Sequence, residues 1–197
     1  IDKMSQKMGI SAEAYQEWDA VLQHSGTSIE SLKGGMKVLN NTMADAGNVI
    51  NETLAAEAAL DDQLDNGTIS LDEYNAAYDK LYESAYDSLG PLSELGFSMM
   101  DIQEMSQDSD LALEKVITAL QGMPEGAERA ALAQDLLGRA AQEMGALLNT
   151  SAEDTQAMRD RVHSSAALCR MMRSKMRLLS RIPCRICRHR FPALAGQ

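Results

Sequence analysis

The chain is 197 residues long, with a net charge of −11 and 45% hydrophobic but only 4% aromatic residues. The dominance of Ala, Leu and Met disfavours a sheet-rich fold and predicts an all-α chain with a thin core, as readily extended as globular. The charge is uneven: residues 1–162 hold 10 Lys/Arg against 29 Asp/Glu, a net −19, which argues against direct nucleic acid binding by this acidic body.

No run of about 18 apolar residues is present to span a membrane, and no signal peptide is visible. The chain starts at Ile1 rather than Met, as expected of a fragment of a longer protein. The first apolar stripe, Ile1, Met4 and Met8, closes at Gly9. Ser11 then predicts a capped helix in which Tyr15, Trp18 and Leu22 face one way, ending near Gly26. His24, near the end of that helix, reads as a surface or capping residue rather than a ligand. Thr27 with Glu30 has the spacing of a capping box.

From there Ile29, Leu32, Met36, Leu39 and Met43 recur at spacings of 3 and 4, a heptad seam over roughly two heptads. Ile50, Leu54, Leu60 and Leu64 continue the apolar face, so one long helix is expected from Ser28 to Leu64. Gly34-Gly35 weakens it by about 1 kcal/mol per glycine relative to alanine. The seam suits packing within a helical hairpin; the alternative is a homo-oligomeric coiled coil.

At the turn Asp65-Asn66-Gly67-Thr68 the residues Asp62, Asn66, Ser70 and Glu73 fall at ligand positions of a calcium-binding EF-hand loop. The third position is Leu64, which supplies no oxygen ligand. The same residues make a tight Asn-Gly turn and a Ser70–Glu73 capping box, which is the preferred reading, with no metal bound. The next helix carries Tyr74, Tyr78, Tyr82 and Tyr86 at i+4 spacing, read as hairpin packing with the hydroxyls reaching water. Gly90-Pro91 ends it and closes a hairpin spanning about 28–88.

A boundary is expected at residue 90, with a small compact multi-helix unit over 91–162. Its centre, Leu111–Asn149, shows one stripe in Leu113, Val116, Ile117 and Leu120, with Gly122 as a left-handed helix end. Pro124 suits the first turn of a second helix, striped by Leu132, Leu136 and Leu137. Gly138 marks a break or close crossing before Ala140, Ala141, Met144, Leu147 and Leu148, and Ser151 caps a last helix. Trp18, Leu22, Leu32, Leu95, Val116, Leu120, Leu132 and Leu136 are the expected buried residues. The 13 methionines read as adaptable core filler.

The body contains no Gly-rich phosphate loop, no H-E-x-x-H, no G-x-S-x-G and no paired metal ligands, so no enzyme activity and no cofactor are expected. Its carboxylates read as a solvated face, since nothing apolar surrounds a chosen two of them. On these grounds the chain is a structural or interaction protein.

Two stretches carry a family resemblance. MSQKMGISAEAYQEW followed by Gly26, Ile29 and Leu32 is the first. The second runs from Leu95-Gly96-Phe97-Ser98 through Glu128-Arg129-Ala130-Ala131-Leu132-Ala133-Gln134 and Leu137-Gly138-Arg139 to Leu147-Leu148-Asn149. Together, in this order, they resemble the head region of tape measure proteins of tailed bacteriophages. The resemblance implies a helical protein inside the tail tube that sets tail length. Its partners would be tail tube and tail assembly proteins, with several copies together in the tube. It would be located in the virion tail and, during assembly, in the host cytoplasm. A fragment of this size is too short for a whole tape, so the measuring segments are expected beyond it. The alternative is a calcium-binding or helical adaptor module. Self-association is expected on residue grounds, because one hairpin is not expected to cover both the Met36–Leu39–Met43 face and the tyrosine row.

Residues 163–197 break the pattern, with 8 Lys/Arg, no acid and all 3 cysteines. Cys184-x-x-Cys187 with His189 and Cys169 matches no standard zinc spacing. A basic tail also suits nucleic acid or an acidic surface. The preferred reading is translation out of frame: one nucleotide earlier, Met171-Met172 encodes Asp, and Met172-Arg173 and Met176-Arg177 each encode Ala or Glu. Such a tail would have no evolved fold and is expected to be disordered or irregular, at most locally helical, with unpaired cysteines and no bound metal.

Overall fold

The computed structural model describes residues 2–164. The zinc, nucleic-acid and frame-shift readings of the tail, with Cys169, Cys184, Cys187 and His189, lie outside the described residues. The chain is all-α, with no strand among the described residues. In order the helices are α1 (Asp2–Met8), α2 (Ala12–His24), α3 (Ile29–Asp65), α4 (Leu71–Leu89), α5 (Pro91–Glu94) and α6 (Met99–Gln107). They continue as α7 (Ser109–Gly122), α8 (Ala127–Leu137), the single turns α9 (Ala140–Glu143) and α10 (Gly145–Leu148), and α11 (152–164).

Everything is arranged on α3. Its 37 residues rise about 55 Å at ~1.5 Å per residue. Along one face Ile29, Leu32, Met36, Leu39, Met43, Ala46 and Ile50 are buried. The helices that cover this face are α1, α2, α6, α7, α8 and α9, with α4 alongside. The heptad seam is therefore satisfied within one chain, and a coiled coil between copies has no free seam here. As expected, the hairpin alone does not cover Met36, Leu39 and Met43; helices beyond position 90 do, so this face is not open for self-association. One apolar cluster joins residues from Met8 to Ile50 with residues from Leu89 to Leu148, so both sides of position 90 share a core.

Gly34-Gly35 does not break α3, and Gly35 has a packing reason. A Cβ there would meet Ala140 Cβ at 2.9 Å and Leu137 O at 3.0 Å. The joint of α8 and α9 thus rests directly on the α3 backbone. Gly138 makes that joint with a φ of +56°, the left-handed region open to glycine, and a Cβ there would meet Val38 Cγ2 at 3.2 Å. Both alternatives raised by the sequence at Gly138, break and crossing, hold together.

Other local expectations shift. Ser11 and Ser151 cap their helices as expected, through the N–H groups of Ala14 and Asp154. Thr27 does not cap α3: its hydroxyl donates to Glu143 O at 2.7 Å, and Ser28 takes the N-cap position. Gly122 is the last residue of α7 and the chain leaves extended at Met123, so no left-handed glycine closes this helix. Pro124 lies in the connection, since α8 starts only at Ala127. Leu95 is half-buried, because Leu92 on the single turn α5 fills the core position at 0% exposure.

Beyond the core, α3 and α4 run out together as an arm. No residue from Leu54 to Ser84 is buried. This segment carries 8 Asp/Glu and 1 Lys, a net −7. No helix among the described residues is long and apolar enough to cross a membrane.

Candidate functional site

Three helices bring charged groups together at one place in the core wall. From α2 come Glu17 and Trp18, adjacent in sequence and both buried. One turn apart on α7 stand Asp110 and Glu114, on one helix face. On α11, Arg159 and His163 have the same i, i+4 relation. Arg159 is 6% exposed. Its Nη2 donates to Asp110 Oδ2 at 2.8 Å and to Glu17 Oε2 at 3.3 Å, and its Nη1 donates to Glu114 Oε2. The guanidinium lies over the Trp18 ring, 4.6 Å from its centroid, a cation–π contact. The indole Nε1 donates to Asp110 Oδ1 at 2.7 Å. His163 Nδ1 sits 2.8 Å from Glu17 Oε1.

Burial alone would lower the Arg159 pKa, but Asp110, Glu114 and Glu17 outweigh it and hold the guanidinium above its ordinary value. A buried cation therefore stays charged and binds segments up to 142 residues apart in the chain. Beside it opens a cleft of about 470 Å³ between α7 and α11, with Trp18, Ile117, Thr118, Ala152 and Thr155 in its walls.

Such a cluster joins three helices through one shared cation. Each carboxylate that faces Arg159 accepts a hydrogen bond from it. Among the described residues no group of three or more His, Cys, Asp or Glu could hold a metal ion.

A second grouping lies on the arm. Tyr74, Tyr78 and Tyr82 are half-buried against α3 and form a ladder. The Tyr74 and Tyr78 rings are 5.9 Å apart and tilted, and the Tyr78 and Tyr82 rings are stacked at 4.5 Å. The hydroxyls of Tyr74 and Tyr82, expected from the sequence to reach water, each end on a carboxylate of α3. Tyr74 donates to Asp61 Oδ1 at 2.7 Å and Tyr82 to Glu57 Oε2 at 2.6 Å. The bond to Asp61, with burial and the nearby negative charge adding to it, pushes the Tyr74 hydroxyl pKa up to about 12; Glu57 and Tyr78 raise that of Tyr82 further. Tyr86 is 40% exposed.

The other residues singled out by the sequence are placed as follows. Trp18, Leu32, Met36, Leu39, Leu120, Leu132 and Leu136 are all core, at 3% exposure or less. The loop positions Asp62, Asn66, Ser70 and Glu73 are exposed at the arm tip. Glu73 is used by the capping box, accepting from Ser70 N at 2.9 Å and Ser70 Oγ at 2.8 Å.

Glu17, Asp110, Glu114 and Arg159 were not singled out by the sequence, and reading every carboxylate as solvated is corrected by them. A signal existed for Arg159: it is one of only 10 basic residues in the body, four residues after Thr155 and one after Met158. Nothing local could have paired it with Glu17. No protein-family model, curated protein or solved structure gives a significant match to this chain.

Proposed function

We propose that the chain is a head-region piece of a tailed-phage tail tape measure protein, acting through packing and assembly rather than catalysis. The reading is carried by the two stretches of likeness in the same order, over residues 4–32 and 95–149. Their contacts support it: Thr27 of the first stretch donates to Glu143 O of the second, and Trp18 donates to Asp110. The matched stretches thus form one helical unit, held by interactions that no short motif would encode. The all-α architecture and the long α3 suit a protein that works as a helical assembly element. On this reading the exposed acidic arm faces tail tube or tail assembly subunits, and the protein resides in the host cytoplasm during assembly and then in the virion tail.

The test is genetic and microscopic. In a phage carrying this gene, in-frame removal of residues 2–162 should abolish tails of defined length. Removal of helical segments outside this region should shorten tails by about 1.5 Å per residue. Normal tails after removal of residues 2–162, or genes for tube, chaperone and baseplate proteins absent from the neighbourhood, would count decisively against the reading.

A further inference from the structure

Two helices, compared over 13 described residues each, are attached in opposite ways. The 13 residues of α2 bury Tyr15, Trp18, Val21 and Leu22. Across the 13 described residues of α11 only Thr155 and Arg159 are buried, and both are polar. The apolar side chains of α11, Ala152, Ala157, Met158 and Val162, are only half-buried. Met158 packs on the core while partly buried, and the fully buried attachment of α11 is polar, made by Thr155 and Arg159: Gln121 Nε2 to Thr155 Oγ1 at 2.9 Å, the Arg159 ion pairs and its contact with Trp18, with His163 beside Glu17 at the edge.

The seam is also imperfect. The cleft of about 470 Å³ lies along it. Two buried polar side-chain atoms, Gln121 Oε1 and Arg159 Nε, find no partner among the described residues, and both belong to residues that join α11 to its neighbours. A buried ion pair offsets its desolvation only where geometry and further hydrogen bonds are good, and a buried unpaired polar atom offsets none. Two of the carboxylates that hold Arg159 are partly open to solvent, with side-chain exposures of 26% for Asp110 and 40% for Glu114. Salt screens such contacts, whereas it does not weaken the apolar packing on α3.

We propose that α11 is a latch. It undocks from α2 and α7 as a unit while the α3-centred core stays folded, and ionic strength sets the balance. Release uncovers the Trp18 indole and the face of α7 around Ile117, and leaves Glu17, Asp110 and Glu114 without their shared cation. The inference rests on the contacts of α11 alone and does not depend on the tape measure reading.

Hydrogen–deuterium exchange on the full chain tests it, at low salt and at about 1 M NaCl, where the Debye length falls to about 3 Å. Residues 152–164 should exchange at least about tenfold faster than α7 at low salt, and faster again at high salt, while α3 and α7 keep their protection. Trp18 is the one tryptophan of the chain, so acrylamide quenching of its fluorescence should rise with salt in parallel. In Arg159→Gln, residues 152–164 should be unprotected at low salt, the salt response of the fluorescence should vanish, and α3 should remain protected. The latch is overturned if residues 152–164 of the unaltered chain exchange only at the rate of α3 at both salt concentrations. It is equally overturned if Arg159→Gln removes protection from α3 as well, since α11 would then be an integral part of the core.

Discussion

Gly35 on α3 faces Ala140 on α9 so closely that a Cβ at Gly35 would lie 2.9 Å from the Ala140 Cβ. The Leu137 carbonyl oxygen would be 3.0 Å away, so neither neighbour is the movable end of a long side chain. Gly34, one residue earlier, has nothing within 4 Å of such a Cβ. The pair separates helix propensity from packing. Gly34→Ala should stabilise by about 0.5–1 kcal/mol, the ordinary gain of alanine over glycine in a helix. Gly35→Ala has the same propensity gain but forces α8 and α9 off α3, and overpacking costs about 1–3 kcal/mol. A net loss of about 1–2 kcal/mol is expected for it. Urea denaturation of the two variants checks this; equal stabilisation by both would mean the α3–α9 crossing is looser than described.

The heptad seam yields a second contrast. Leu39 is 0% exposed in the core and Leu54 is 44% exposed on the arm. Leu39→Ala should cost about 2–5 kcal/mol, and Leu54→Ala should stay within about 0.5 kcal/mol. Because the seam is covered within the chain, the loss at Leu39 should not depend on protein concentration. A denaturation midpoint of Leu39→Ala that rises with concentration would instead place this seam between copies.

Helix faces were legible because periodicity is local. The buried seam from Ile29 to Ile50, the core placement of Trp18, Leu120 and Leu136, and the ends at Met8, His24, Asp65 and Leu89 follow from stripes and turn residues. What was not legible depends on distant partners. Thr27 has a capping-box sequence, yet its hydroxyl is taken by Glu143, 116 residues away. The single turns α9 and α10 read as one stripe, because the joint at Met144 keeps Ala140, Ala141, Leu147 and Leu148 on the same buried side. Arg159 and its three carboxylates come from three helices and look like ordinary surface charges in each one. Composition suggested a thin core, and for the arm from Leu54 to Ser84 that is an accurate description.

The start of α6 gives a pH-dependent prediction. Ser98 and Asp101 form a capping box, with Asp101 N donating to Ser98 Oγ at 3.2 Å and Ser98 Oγ donating to Asp101 Oδ2 at 2.6 Å. The Ser98 hydroxyl and N–H, with Lys115 at 3.3 Å, hold the Asp101 carboxyl below its ordinary range. A depressed folded-state pKa stabilises fully above the unfolded value, near ~3.9, and the contribution is lost as pH falls through the folded value. Ser98→Ala should therefore lower the melting temperature at neutral pH. The difference from the unaltered chain should shrink as pH drops below about 4. A difference that grows on acidification would reverse the sign and refute this account of the cap.

The tyrosine ladder responds at the opposite end of the pH scale. Burial, with Glu30 and Asp19 nearby, raises the Tyr15 pKa, while carboxylate acceptors raise those of Tyr74 and Tyr82. A raised folded-state pKa means that the hydroxyl bonds stabilise fully below the unfolded value, near ~10, and fade as pH rises through the folded value. For Tyr74 that window extends to about 12. Tyrosinate absorbance of the native protein should therefore rise in more than one stage, with a late component that Tyr74→Phe diminishes. Over the same interval the arm should loosen: exchange of residues 57–82 should accelerate while residues 29–50 of α3 stay protected by their buried face. Tyr74→Phe removes the hydroxyl outright, so it should show faster arm exchange at neutral pH and a weaker dependence between about 10 and 12. If all five tyrosines of the folded chain ionise together near ~10, the hydroxyl bonds to Asp61 and Glu57 do not persist in solution. The arm would then be held by ring stacking and backbone alone.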